Sequence, residues 1–224
     1  MATRNNAPDI ARRRIPALLA PVWLFFVLFL GAGPAPAQDP GTLHPVPLPP
    51  LANPDAPSTP ARELFARKTK PLHAAPRAIG AYNNGCIAGA AELPLNGPGW
   101  QVMRVSRNRY WGHPSLVAFV ERLGDTAKKA GWNGVRVGDM SQPRGGPMLT
   151  GHTSHQIGLD VDIWFTPAPD HELSDEEREF DSAAIVVAED RRDVDPKLWT
   201  RAHTEVVRAA AEDRVVSRIF VNAA

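Results

Sequence analysis

The chain has 224 residues, with 25 Lys and Arg against 24 Asp and Glu and a formal net charge of +1. That balance, with no cationic cluster beyond pairs such as Lys128-Lys129 and Arg191-Arg192, excludes a surface built to neutralise phosphates, so nucleic acid is not the expected partner. One cysteine, Cys86, leaves no disulfide partner within the sequence.

Arg4 and Arg12 to Arg14 precede an apolar run over 15–33, which ends in Ala35-Pro36-Ala37, a small-x-small cleavage pattern. Residues 1–37 therefore read as a secretory signal peptide, with an uncleaved bilayer-spanning anchor as the alternative. The residue directly after the cleavage position is Gln38 and not a cysteine, which argues against a lipid anchor. The segment takes with it four of the 25 basic residues and one of the 24 acidic ones, leaving 21 against 23 in a near-neutral mature chain.

Residues 38–77 are crowded with proline, including Pro45, Pro47, Pro49 and Pro50, which removes amide donors and favours extended, solvated backbone. They read as a linker with a helical turn over 62–68. The remaining 78–224 suffices for one domain. Its elements are predicted in this order: a strand over 101–106; an amphipathic helix carrying Leu116, Phe119, Val120, Leu123 and Ala127, opened by Pro114 and closed by Gly131; and a strand over 133–138. A loop over 139–151 follows, rich in Gly and Pro, and then a strand over 159–165. The last elements are a charged surface segment over 172–181, a helix over 200–213 with His203 on its solvent face, and a strand over 216–222. A domain stopping directly after an apolar strand has the look of one cut short.

The chemistry gathers at Gly-His-Thr-Ser-His-Gln-Ile-Gly-Leu-Asp-Val-Asp, residues 151–162. In a strand over 159–165, Asp160, Asp162 and Trp164 share one face, and aspartate is depleted in strands unless a cation, donors or water receive it. His152 and His155 lie just upstream. Imidazole and carboxylate are zinc donors, and a catalytic zinc uses three protein ligands and leaves the fourth position open. The alternative is a polar turn ahead of an ordinary strand with solvated aspartates. Cys86 as a nucleophile would need a base folded in from elsewhere, since the Asn83-Asn84-Gly85-Cys86 turn supplies none.

This segment resembles the penicillin-insensitive murein endopeptidases, of the lysostaphin and D-alanyl-D-alanine metallopeptidase group, whose pattern His-x-x-Gly-x-x-x-Asp is met by His155, Gly158 and Asp162. Further stretches share the likeness: Asn84-Gly85-Cys86-Ile87-Ala88-Gly89-Ala90, Gln101-Val102-Met103-Arg104, Arg109-Tyr110-Trp111-Gly112-His113-Pro114, Gly138-Asp139-Met140 and Arg218-Ile219-Phe220-Val221-Asn222. The resemblance implies an α+β fold, a small antiparallel sheet flanked by helices, preceded here by the signal peptide and the Pro-rich linker. It implies a periplasmic zinc endopeptidase that hydrolyses D-alanyl-meso-diaminopimelyl cross-bridges of peptidoglycan. His155 and Asp162 become zinc ligands, and His152 a further ligand or a close neighbour of the metal. Asp190 falls where the family binds a second zinc at a homodimer interface, but Asp193 stands in place of the companion histidine and leaves that site in question. His113 and Asp139 are candidates for the substrate groove, with a structural hydrogen-bonder and a turn cap as their alternatives. In the family, a last zinc ligand, an assisting histidine and the partner of the cysteine matching Cys86 follow the Val-Asn strand, so no catalytic acid-base residue is assigned here. The expectation is a C-terminally incomplete peptidase domain over 78–224. Its alternative is a non-catalytic module that binds peptidoglycan peptides.

Overall fold

A computed structural model describes residues 40–221, so the apolar run at 15–33 and the cleavage pattern at 35–37 lie outside the described residues. Among the described residues, no helix is long and apolar enough to cross a membrane.

The proline-rich segment is largely exposed and irregular apart from α1 (Ala61–Ala66). It is nevertheless fastened along its length. Gly41 N–H donates to Glu179 O at 2.8 Å, and Thr42 N–H to Ser106 Oγ at 3.2 Å. Arg144 Nε reaches Lys70 O at 3.3 Å, and the Phe65 ring lies against Gly146, where an added Cβ would fall 2.3 Å from it.

Next come the hairpin β1 (Arg77–Ala81) and β2 (Asn84–Ala88), then β3 (Ala91–Glu92), β4 (Asn96–Gly97) and β5 (Trp100–Val102). The strand expected over 101–106 is shorter, because Arg104 adopts φ +56° and turns the chain into a 3-10 turn at Val105–Arg107. After β6 (Trp111–Gly112), helix α2 (Pro114–Lys129) begins where predicted: His113 Nδ1 accepts the Ser115 N–H at 3.2 Å, and Pro114 fills a first-turn position. Its buried face, Leu116, Phe119, Val120, Leu123 and Ala127, packs on Trp100, Val102, Val135 and Val137 to form the main core. Burial of each such large side chain stabilises by about 1.5–3 kcal/mol.

The four-stranded sheet has the order β4-β5-β7-β8, with β7 (Val135–Val137) and β8 (Ile163–Pro167). The class is α+β as expected. One pair, β5 with β7, is parallel, with α2 as the crossover, and the other pairs are antiparallel. Gly124 of α2 meets Gly99 of the β4–β5 turn backbone to backbone. A Cβ on Gly124 would sit 2.6 Å from Gly99 O, so only glycine lets the helix come this close.

Three expectations are corrected. The charged 172–181 segment is not simply surface: it holds α3 (Asp175–Phe180), opened by a Ser174–Glu177 capping box, with Arg178 and Glu179 buried. Arg178 Nη1 donates to Val102 O at 2.7 Å, and Glu179 accepts from the Ser106 N–H and Oγ–H, so both charges are satisfied by partners far along the chain. His203, on α4 (Arg201–Glu212), is buried rather than solvent-facing; its Nε2 lies 3.0 Å from Phe165 O and its Nδ1 accepts the Thr200 N–H. Residues 216–221 form no strand. Val216 packs on the core, while Phe220 is 82 % exposed, and no strand among the described residues offers this run a ladder.

Candidate metal centre

The loop after β7 and the approach to β8 form the site. Ile163 opens β8 later than the predicted strand, and just before it Gly138 N–H donates to Asp162 O at 2.8 Å and Asp162 N–H to Asp139 O at 3.0 Å. Asp162 and Asp139 are thereby held side by side.

Between them runs the Gly-Pro loop, pinned by Gln142 Nε2 to Gly145 O at 3.2 Å and by Gly146 N–H to Gln156 O at 3.0 Å. Gln156 ties the histidine loop to the β1–β2 hairpin, accepting the Gly85 N–H on Oε1 and donating from Nε2 to Asn83 O. His155 has φ +63°, a left-handed conformation uncommon for a residue other than glycine and one that needs support from its surroundings.

Ligand atoms of His152, His155 and Asp162 all lie within 4.8 Å of one another, the one such grouping among the described residues. Asp162 Oδ2 is 3.5 Å from His155 Nε2 and 3.7 Å from His152 Nε2. Donor atoms around a tetrahedral ion with bonds of about 2.1 Å stand about 3.4 Å apart. The two distances to Asp162 lie close to that edge and exceed ordinary hydrogen bonds. The two imidazoles meet edge to face, with ring centroids 4.9 Å apart. His155 is buried, while the His152 and Asp162 side chains are about one-third exposed, so the cluster opens to solvent on one side.

Fit to a cation is tested by what the ring of His155 lacks. Neither buried ring nitrogen has a partner in hydrogen-bonding geometry; Asp160 Oδ2 lies 2.9 Å from Nδ1 but off the N–H direction. Burial by itself would lower the His155 pKa, but Asp160 and Asp162 outweigh it and raise it to about 10. The pocket thus draws positive charge, and two imidazoles with a carboxylate suit a divalent metal ion.

Asp139, expected at the substrate groove, is buried beneath His152. Its Oδ2 accepts from Arg109 Nη1 at 2.8 Å and Arg107 Nη1 at 3.0 Å, and lies 3.3 Å from His152 Nε2. Burial would raise its pKa, but His152, Arg109 and Arg107 together hold it far below the usual carboxylate range. Arg109 Nη2 also reaches Thr150 O at 2.9 Å and anchors the loop that carries His152. His113 spends its ring on capping α2, and its backbone N–H holds Gly158 O at 2.8 Å. Asp190 lies in an exposed turn, accepting the Arg192 N–H, and is not brought to the His152 cluster. Cys86 sits free and half-buried on β2. Sequence reasoning assigned no role to Arg107 or Arg109, because their partner Asp139 lies 32 and 30 residues away. A cleft of about 470 Å³ lined by Asn96, Gln101, Lys128, Trp132, His171 and Glu172 contains none of the three clustered residues.

A profile described as penicillin-insensitive murein endopeptidase matches residues 78–224. Relatives bearing that same name are 47 % identical over 148 residues in Haemophilus influenzae, covering 65 % of this chain and 51 % of the relative. In Klebsiella pneumoniae the identity is 45 % over 156 residues, covering 70 % and 57 %, and in Yersinia enterocolitica 44 % over 156 residues, covering 70 % and 56 %. The chain spans about half the length of the curated relatives it matches.

Proposed function

The chain belongs to the penicillin-insensitive murein endopeptidases, and on that premise we propose that it is a zinc-dependent endopeptidase hydrolysing the D-alanyl-meso-diaminopimelyl cross-bridges of peptidoglycan in the periplasm. The observation carrying this reading is the meeting of ligand atoms of His152, His155 and Asp162 within 4.8 Å of one another, with Asp162 Oδ2 3.5 and 3.7 Å from the two imidazoles, beside a solvent-open face.

His152, His155 and Asp162 would hold the zinc, three protein ligands being the number a catalytic site uses. When bound, zinc polarises a carbonyl and brings the pKa of its water towards neutrality. Around it, His155 is fixed in the interior, whereas His152 and Asp162 present their edges to solvent, where an extended peptide can reach them. Asp139 holds Arg109, whose other nitrogen reaches Thr150 O and anchors the loop that carries His152. Export to the periplasm rests on Arg12 to Arg14, the apolar run at 15–33 and Ala35-Pro36-Ala37.

The purified chain, loaded with zinc, is incubated with cross-linked and with uncrosslinked muropeptides, with and without chelator and penicillin. Conversion of dimers to monomers, abolished by chelator and indifferent to penicillin, is the expected result. Zinc uptake without any cleavage would replace the enzyme with a peptidoglycan-binding module. Absence of zinc uptake would sink the metal reading altogether.

A further inference from the structure

We propose that Asp160 is a positioning residue of the metal centre: it holds the His155 backbone from behind and sets an oxygen beside the ring's Nδ1, and so aims Nε2 at the ligand position beside Asp162. The inference rests on the metal reading above and adds to it a residue that supplies no ligand atom.

The grip is visible on two sides. The His155 N–H donates to Asp160 Oδ2 at 3.0 Å, closing the chain from 155 to 160 back on itself and supporting the φ of +63° at His155. Left-handed backbone is disfavoured for an L-residue, so such a conformation persists where something holds it. The same oxygen lies 2.9 Å from His155 Nδ1, while Nε2, across the ring, is 3.5 Å from Asp162 Oδ2. The imidazole is therefore bracketed by two carboxylates with different tasks. Metal-binding histidines hand their second ring nitrogen to an acceptor, which fixes the tautomer and the plane of the ring.

Asp160 fits that task better than the task of a solvated aspartate. Its side chain is one-third exposed, yet Oδ1 is buried with no hydrogen-bond partner, so the carboxylate is turned inward rather than towards the water within its reach. It lies outside the grouping of metal donors formed by His152, His155 and Asp162. A small rotation of the His155 ring would bring the Nδ1–H into line with Oδ2, a tightening that ligation at Nε2 would favour.

The test measures zinc affinity by chelator competition, alongside melting of the metal-free protein, in the full-length chain carrying Asp160→Ala or Asp160→Asn. The expected result for Asp160→Ala is zinc affinity weakened about 10- to 100-fold. Asp160→Asn, which keeps an acceptor oxygen, recovers most of that loss. Nitrogen NMR of the zinc-loaded unsubstituted chain is expected to find the His155 proton on Nδ1 and the metal on Nε2, a readout independent of whether either variant folds. Unchanged zinc affinity in Asp160→Ala with lowered melting would reduce Asp160 to a turn support and overturn the proposal. So would ligation through Nδ1, or an Asn variant as weak as the Ala one. If the unsubstituted chain takes up no zinc, the metal reading fails and this inference with it, an outcome distinct from all of these.

Discussion

On the zinc reading proposed above, a proton and a metal ion compete for the His155 ring. The imidazole carries a folded pKa of about 10 against about 6.5 in an unfolded chain. Between those values the folded state binds more protons than the unfolded one, so this contribution to metal-free stability is complete below about pH 6.5 and is lost as pH climbs towards 10. A metal must displace that proton, so apparent zinc affinity rises across the same window. Melting of chelator-treated protein and zinc titration from pH 6 to 10 check both slopes, and a flat affinity profile would contradict the shared site. At this scale the sequence was readable where donors cluster: His152, His155 and Asp162 lie within eleven residues and come together as their types imply. The role of Asp139 was not readable. Its partners Arg107 and Arg109 stand 32 and 30 residues away, and nothing in a local window pairs them.

Elements with one apolar stripe were legible, and elements that bury charge were not. Helix α2 shows its buried face, its proline and its final lysines in plain periodicity, and the structure places it within two residues of the prediction. Helix α3 hides its character, because Arg178 and Glu179 are buried against carbonyls and amides of distant segments, and composition alone presents them as solvent-facing. His203 misled for the same reason. One position in α2 invites a counterintuitive substitution. Replacing a mid-helix glycine by alanine would ordinarily stabilise by about 1 kcal/mol. At Gly124 the added methyl would meet Gly99 O at 2.6 Å, backbone that has no rotamer to escape into. Gly124→Ala is therefore expected to destabilise by about 1–3 kcal/mol despite the propensity gain, as read from urea denaturation. A stabilised variant would show that the helix can back away from the β4–β5 turn.

Over the molecule as a whole, the proline-rich segment is the part whose behaviour composition least revealed. Proline content correctly signals extended and exposed backbone, but the single ring of Phe65 against Gly146, with Arg144 reaching Lys70 O, attaches that backbone to the loop leading to His152. Phe65→Ala is expected to speed tryptic cleavage after Arg67 and Lys68 severalfold while leaving cleavage within α2 unchanged, as followed by mass spectrometry. Equal rates after Arg67 and Lys68 in the two proteins would show the ring contributes no attachment.

The nearness of the three donors along the chain has a consequence for the entropy of metal uptake. Joining His152, His155 and Asp162 through one ion closes loops of a few residues, and closure entropy grows only as the logarithm of loop length. With β7 and β8 already aligning Asp162, little chain freedom remains for the ion to remove. Zinc should accordingly slow amide hydrogen exchange over residues 151–162 and leave α2 and α4 exchanging as before. Slowing spread evenly over the domain would mean that the ion organises the fold, instead of occupying a cradle the fold has already made.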